Sequence, residues 1–323
     1  MQRIVCTRWG PPEDLELQTS PDPTPAEGEV AVEVAAAGVN FVDALFVAGT
    51  YQIKVPPPFT PGSELAGTVV AVGPGVADVE VGDRVLSSVG LGAFASQVVL
   101  RATAVTRVPS ELPLATAAAL VQSYCTAWFT MTRRTTVRPD ETVLVLGAGG
   151  GVGLAAIDVA RSLGARVIAA ASTEPKLEAA RAMGADATIA YEDDDLKVRA
   201  RELSEGGVDV VIDPVGGRHT EPALRSLGVG GRLAVIGFAA GEIARLPVNQ
   251  VLLKNRSIVG VDWGAWAMQH PASQAVLLDE VLDGVRLGNL HPVAPSERPL
   301  AAAPSVLRDL LERRLQGKTV LVP

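Results

Sequence analysis

The chain has 323 residues, 48% of them hydrophobic and 20% charged, with a net charge of −8. That balance excludes a disordered chain and suits a folded protein of about two domains. The acidic excess argues against nucleic acid or an anionic membrane as partner, and two cysteines, Cys6 and Cys125, cannot build a four-cysteine zinc lobe.

The opening segment, Met1 to Cys6, lacks the basic and long apolar regions of a signal peptide, and no run reaches the ~18 apolar residues of a membrane span. A cytoplasmic protein is expected. Through residue 110 the chain carries short β-like runs (29–34, 65–72, 84–88 and 94–100) split by Pro and Gly, the pattern of a compact β domain. Pro21, Pro23 and Pro25 predict a stiff connector, and Pro56 to Gly62 an extended loop. The alanine-rich stretch 111–133 predicts the first long helix and a bridge to a second domain.

From residue 140 to 262 strands and helices alternate, which predicts βαβ units on a parallel sheet. Strands are expected at 142–146, 166–171, 208–213, 232–237 and 257–261, with helices at 152–163 and 174–183. Helices near 275–285 and 306–315 and a strand at 319–322 complete the chain. The three histidines, His219, His270 and His291, have no metal-ligand spacing with one another or with a cysteine.

The first of these strands runs into Gly147-Ala148-Gly149-Gly150-Gly151-Val152-Gly153 and then a helix. Backbone amides of Gly150, Gly151 and Val152 at such a turn suit a dinucleotide pyrophosphate. The spacing is Gly147-x-x-Gly150-x-x-Gly153, one residue looser than the strict fingerprint, and no Lys-Ser/Thr follows to make a Walker loop. The next strand ends Ala171-Ser172-Thr173 with no acid to hold a ribose 2′-hydroxyl, and Lys176 follows within a turn. A hydroxyl and an ammonium suit a 2′-phosphate, so NADPH is expected rather than NADH. Glu174 dissents, and helix capping is the plainer role for Ser172 and Thr173.

Several segments, taken in order along the whole chain, resemble the medium-chain dehydrogenase/reductase superfamily. They are Gly38-Val39-Asn40-Phe41-Val42-Asp43, Gly49-Thr50-Tyr51, Pro61-Gly62-Ser63-Glu64-Leu65-Ala66-Gly67, Gly82-Asp83-Arg84-Val85, Asp213 to Gly217, Gly237 to Gly241, and Leu311 to Lys318. The looser glycine turn is similar to that of the zinc-free quinone oxidoreductase (zeta-crystallin-like) branch. The resemblance implies an α/β protein: a GroES-like β-rich catalytic domain from 1–122 and 263–323, with a Rossmann doubly wound parallel sheet inserted at 123–262. It also implies a cofactor cleft between the domains and a homodimer formed at the Rossmann edge, for which Ser257 to Val261 is the candidate strand.

Zinc enzymes of the superfamily have a Cys in the first segment and a His before the Glu of the third. Asn40 and Ser63 stand there instead, so no metal is expected. The resemblance assigns Asn40, Asp43, Tyr51 and Thr126 to the nicotinamide and acceptor end. It assigns Lys176, Tyr191 and either Arg313 or Arg314 to the 2′-phosphate, and Phe238 and Gly241 to the nicotinamide loop. Read locally, Asn40 and Asp43 are turn or capping residues, Tyr51 a loop aromatic and Thr126 a buried helix threonine. Phe46 departs from the tyrosine many members carry there. The implied reaction is zinc-independent hydride transfer from NADPH to a quinone or similar conjugated carbonyl. The alternatives are an enone or enoyl-CoA (alkene) reductase and a non-catalytic NADPH-binding protein.

Overall fold

A computed structural model describes residues 1–323, which divide into two units. The first comprises Met1–Gln122 and Val293–Pro323, and the second Ser123–Pro292. In chain order the first stretch holds β1 (Gln2–Val5), β2 (Glu16–Thr19), β3 (Glu29–Gly38), α1 (Phe41–Val47), β4 (Glu64–Val72), β5 (Arg84–Ser88), β6 (Gln97–Arg101) and β7 (Thr106–Arg107). Helix α2 (Leu114–Phe129) follows.

The second unit continues with β8 (Thr142–Leu146), α3 (Gly151–Ser162), β9 (Arg166–Ala171), α4 (Glu174–Ala182), β10 (Ala187–Ala190), α5 (Leu196–Leu203), β11 (Val208–Asp213), α6 (Thr220–Ser226), β12 (Leu227–Val235), α7 (Asn249–Leu252), β13 (Ser257–Gly260), α8 (Trp263–Gln269) and α9 (Pro271–Arg286). The chain ends with β14 (Ser296–Pro299), α10 (Ala303–Leu311) and β15 (Thr319–Val322).

In the first unit the sheet order is β14-β15-β3-β4-β5-β7, with β6 also paired to β3. Val30, Val32 and Val34 of β3 are buried against Leu65 and Val69 of β4, Phe94, and Leu307 of α10. The final strand enters by antiparallel pairing of Val320 with Gly38 and Leu321 with Ala37, which returns the C-terminal segment to this sheet.

The second unit is a six-stranded parallel sheet in the order β10-β9-β8-β11-β12-β13. Val143, Leu144, Val145 and Leu146 of β8 are all fully buried, as a central parallel strand covered by helices on both faces requires. The order reverses at β8, so the carboxyl ends of β8 and its neighbours flank the switch point where such sheets bind ligands. Elements β10 and α5, beyond the strands and helices expected from the sequence, complete the βαβ series on the β9 side.

The return to the first unit falls at Val293, whereas the resemblance implied residue 263. Helices α8 and α9 pack with the second unit because their side chains bond there. Trp128 Nε1 donates to Glu280 Oε2 at 2.7 Å, and Arg133 pairs with Glu280 at 2.6 Å. Gln274 Nε2 donates to Cys125 Sγ of α2 at 3.7 Å, and Leu277 and Val281 are fully buried.

Candidate active site

The glycine turn occupies the carboxyl end of β8. Gly150 N–H donates to the Gly147 carbonyl at 3.0 Å, and Gly150 caps α3, whose first residues Gly151 and Val152 are half-buried. Glycine at 149 makes room for Lys176: a Cβ there would lie 2.4 Å from Lys176 Cβ and 2.6 Å from its Cγ. The base of the Lys176 side chain therefore packs against Gly149, brought there by the first turn of α4.

Ser172 and Tyr191 join it through sheet register. Ala190 pairs with Ala171, and Tyr191 N–H donates to the Ala171 carbonyl at 3.3 Å, so the two residues follow adjacent strand ends. The Tyr191 ring packs on buried His219 with centroids 4.2 Å apart. Arg181 pairs with Glu174, the acid that argued against a phosphate here, at 2.5 Å.

The loops after β11 and β12 are zipped together. Asp213, buried, accepts the N–H groups of Val215 and Gly216 at 2.9 and 2.8 Å and the Thr220 hydroxyl at 2.7 Å. Ala239 and Ala240 donate to the carbonyls of Pro214 and Val215, and Gly241 N–H donates to the Phe238 carbonyl at 2.7 Å. Phe238 lies against Gly216 and keeps 37% of its surface exposed. Thr126 is buried in α2, and its carbonyl accepts the Thr130 hydroxyl at 2.6 Å. Cys125 is fully buried and accepts from Gln274, a packing position rather than an exposed thiol.

In the first unit, Asn40 and Asp43 sit in a buried polar cluster at the start of α1. Asn40 Nδ2 donates to Ser63 Oγ at 3.1 Å and to Glu64 Oε1 at 2.8 Å. Lys318 Nζ donates to Asn40 Oδ1 and to Glu64 Oε1, both at 2.6 Å. Glu64 Oε2 accepts the N–H of Gln122 in α2 at 2.7 Å. Asp43 Oδ2 accepts the Asn40 backbone N–H at 2.7 Å, while Oδ1 is buried without a hydrogen-bond partner. Burial pushes the Asp43 carboxyl up to about 7, against the lowering effect of the Asn40 N–H, the Ser63 hydroxyl and the Lys318 charge; Glu64 adds to the rise.

Tyr51 follows α1, half-buried, with its ring 4.8 Å from that of Phe46. Phe46 thus supplies a packing face in place of a tyrosine hydroxyl. Arg313 and Arg314 are exposed residues of the first unit. Arg314 is engaged by Asp309 at 2.9 Å and by Glu312, whereas Arg313 has a left-handed backbone with φ of 58°.

Lys318 and Glu64 lie within motifs of the sequence that assign them no role of their own. The available signal was Glu64 itself, an acid opening an otherwise apolar strand, which demands a buried partner.

Residues 26–110 match the alcohol dehydrogenase GroES-like domain family, and residues 151–278 match the zinc-binding dehydrogenase family. Quinone oxidoreductase-like protein 2 of Rattus norvegicus is 37% identical over 98% of this chain and 91% of its own length. The structure is similar to Escherichia coli quinone oxidoreductase complexed with NADPH, at a TM-score of 0.90 and 29% identity over all of both chains. It is also similar to the quinone oxidoreductase of Thermus thermophilus, solved alone and with NADPH, at 0.85 and 35% over all of both chains. No helix is long and apolar enough to cross a membrane. From the ordered motifs, the two folds and these similarities, the chain belongs to the quinone oxidoreductase branch of the medium-chain dehydrogenase/reductase superfamily.

Proposed function

We propose that this protein is an NADPH-dependent oxidoreductase that reduces a quinone without zinc. The observation that carries the reading is Lys176 packed against Gly149 of the glycine turn, with Ser172 and Tyr191 following the adjacent ends of β9 and β10 and no acid closing β9. This is a cradle for a phosphorylated dinucleotide, in which the ammonium favours a 2′-phosphate and a carboxylate would reject it. The two solved relatives named as NADPH complexes support the same cofactor.

Bound NADPH supplies the hydride. The amides of Gly150, Gly151 and Val152 hold the pyrophosphate, and Lys176, Ser172 and Tyr191 hold the 2′-phosphate. The resemblance assigns a further guanidinium, of Arg313 or Arg314, to the 2′-phosphate; Arg314 is engaged by Asp309. Phe238 and Gly241, held by the zipped loops, line the nicotinamide, and Thr126 meets its ribose. Tyr51 stacks on the acceptor or donates to its developing oxyanion. Asn40 and Asp43, whose polar atoms are largely consumed in their own cluster, serve by orienting α1.

The residues present do not fit zinc. An amide and a hydroxyl replace the thiolate and imidazole, and the Lys318 ammonium lies 2.6 Å from Asn40 Oδ1 and Glu64 Oε1, where it repels a divalent cation. An acceptor already electrophilic, such as a quinone, needs no Lewis acid.

The proposal includes a homodimer paired through β13. Ile258 on this edge strand is 40% exposed, and Val229, Leu252 and Leu253 are 76%, 77% and 54% exposed. A two-fold axis beside β13 would cover them and complete the strand's hydrogen bonds.

NADPH oxidation by metal-free protein, followed with quinones, enones and enoyl-CoAs and with NADH as control, tests the reaction. Preferential quinone turnover with NADPH is expected. Turnover of the alkenes alone would reassign the protein to alkene reduction. Tight NADPH binding with no turnover would leave a binding protein.

A further inference from the structure

We infer that Lys318 is a positioning residue for the acceptor side of the site: its ammonium, held between Asn40 and Glu64, fixes the start of α1 and through α1 the placement of Tyr51. The inference rests on the proposed reduction of a small acceptor at Tyr51.

The ammonium has three N–H groups and three acceptors: the Val39 carbonyl at 3.3 Å, Asn40 Oδ1 at 2.6 Å and Glu64 Oε1 at 2.6 Å. The side chain of Lys318 is 11% exposed and that of Glu64 is fully buried, so the pair is shielded from solvent. Glu64 in turn holds the Gln122 N–H, so one carboxylate joins β4, α2 and the β3–α1 junction. The approach depends on glycine at 38, where a Cβ would lie 2.3 Å from Glu64 Oε1 and 2.4 Å from the Ala118 carbonyl.

This arrangement allows one orientation of the Asn40 amide. Its oxygen faces the ammonium, and its two N–H groups face Ser63 and Glu64. A flip would set the amide nitrogen against Lys318 and the oxygen against Glu64, two repulsive contacts. The oriented Asn40 precedes α1, a helix of seven residues. So short a helix has little stability of its own and takes its position from its ends. At its far end, Thr50 and Tyr51 donate to the Leu45 carbonyl at 3.0 and 3.3 Å, and Tyr51 packs on Phe46. A shift at Asn40 is thereby carried to Tyr51.

The plainer role, fastening the C-terminal strand, is already filled by backbone bonds. Val39 N–H donates to the Thr319 carbonyl at 3.0 Å, and β15 pairs with β3. A purely structural lysine would change the melting temperature and leave acceptor kinetics alone.

The test compares wild type, Lys318→Met, Lys318→Arg and the double variant Lys318→Met/Glu64→Gln in the full chain. Quinone kcat/KM, NADPH affinity by fluorescence and amide hydrogen exchange over residues 40–51 are measured. Lys318→Met should lower kcat/KM about 10-fold or more, chiefly through KM, and speed exchange over 40–51 about 10-fold, with NADPH affinity unchanged. Lys318→Arg should recover much of both. The double variant leaves no buried charge alone, so it stays folded if the single variant does not, and it should show the same kinetic loss. Wild-type kinetics and exchange in Lys318→Met, or in the double variant, would overturn the inference. Failure of wild type on every acceptor would instead overturn the proposed reaction, and the exchange measurement alone would then decide the role of Lys318.

Discussion

Lys176 and Gly149 are in such close approach that a Cβ on residue 149 would meet the lysine at 2.4 Å. The base of the lysine side chain is thus fitted by shape to the glycine turn. If the 2′-phosphate is held here, Lys176→Ala should weaken NADPH binding about 10- to 100-fold, the worth of one charge-assisted hydrogen bond, and leave NADH binding nearly unchanged. Gly149→Ala should produce the same selective loss with no change of charge. Titration of both cofactors by fluorescence quenching checks this; equal losses for the two would remove Lys176 from the phosphate.

Asp43 makes a pH prediction. Its carboxyl is pushed up to about 7, so the folded state holds a proton that the unfolded chain releases near 3.8. The stability it contributes is fully present below that lower value and is lost as pH rises through the folded value. Asp43→Asn keeps an oxygen for the Asn40 N–H and cannot ionise. Urea unfolding should therefore show wild type losing up to about 4 kcal/mol relative to Asp43→Asn between pH 4 and pH 8. A constant difference, or one of opposite slope, would show that Asp43 stays ionised in the fold.

Asp158 makes a second buried cluster, within the second unit. It accepts the Tyr124 hydroxyl at 2.8 Å and the His291 N–H at 2.6 Å on the same oxygen. Tyr124→Phe should cost about 1–3 kcal/mol at neutral pH, because the carboxylate loses a buried donor. Burial pushes the phenol well above its ordinary value, and the Asp158 charge and hydrogen bond add to the rise. Its contribution is complete below the ordinary tyrosine value near 10 and falls at higher pH, so the advantage of wild type over Tyr124→Phe should shrink above about pH 10. Denaturant unfolding at pH 7 and pH 11 measures both.

The proposed β13 interface is open to a single surface change. Ile258 is 40% exposed on an edge strand, so Ile258→Lys should leave the monomer fold and its melting behaviour intact. A lysine on an edge strand opposes strand pairing. Light scattering should report a dimer for wild type and a monomer for the variant. A monomeric wild type would remove the interface.

Much of the second unit was legible along the chain. The apolar run 142–146, the glycines after it and the missing acid after Ala171 are local signals, and they mark β8, the turn into α3 and the end of β9. Steric and hydrogen-bonding preferences of neighbouring residues produce such signals, so they survive in the order of residues alone. Other features were not local. The packing of α9 on α2 brings Trp128 to Glu280, 152 positions away.

By itself the sequence determined the class of fold, the glycine turn after β8 and the absence of thiolate and imidazole at the first unit's polar cluster. Tertiary structure alone decided that Lys318 supplies the positive charge there, to a carboxylate 254 positions earlier. Pairing of β15 with β3 sets that partner, because a buried charge is neutralised by whichever group the sheet register brings within reach and not by its neighbours along the chain.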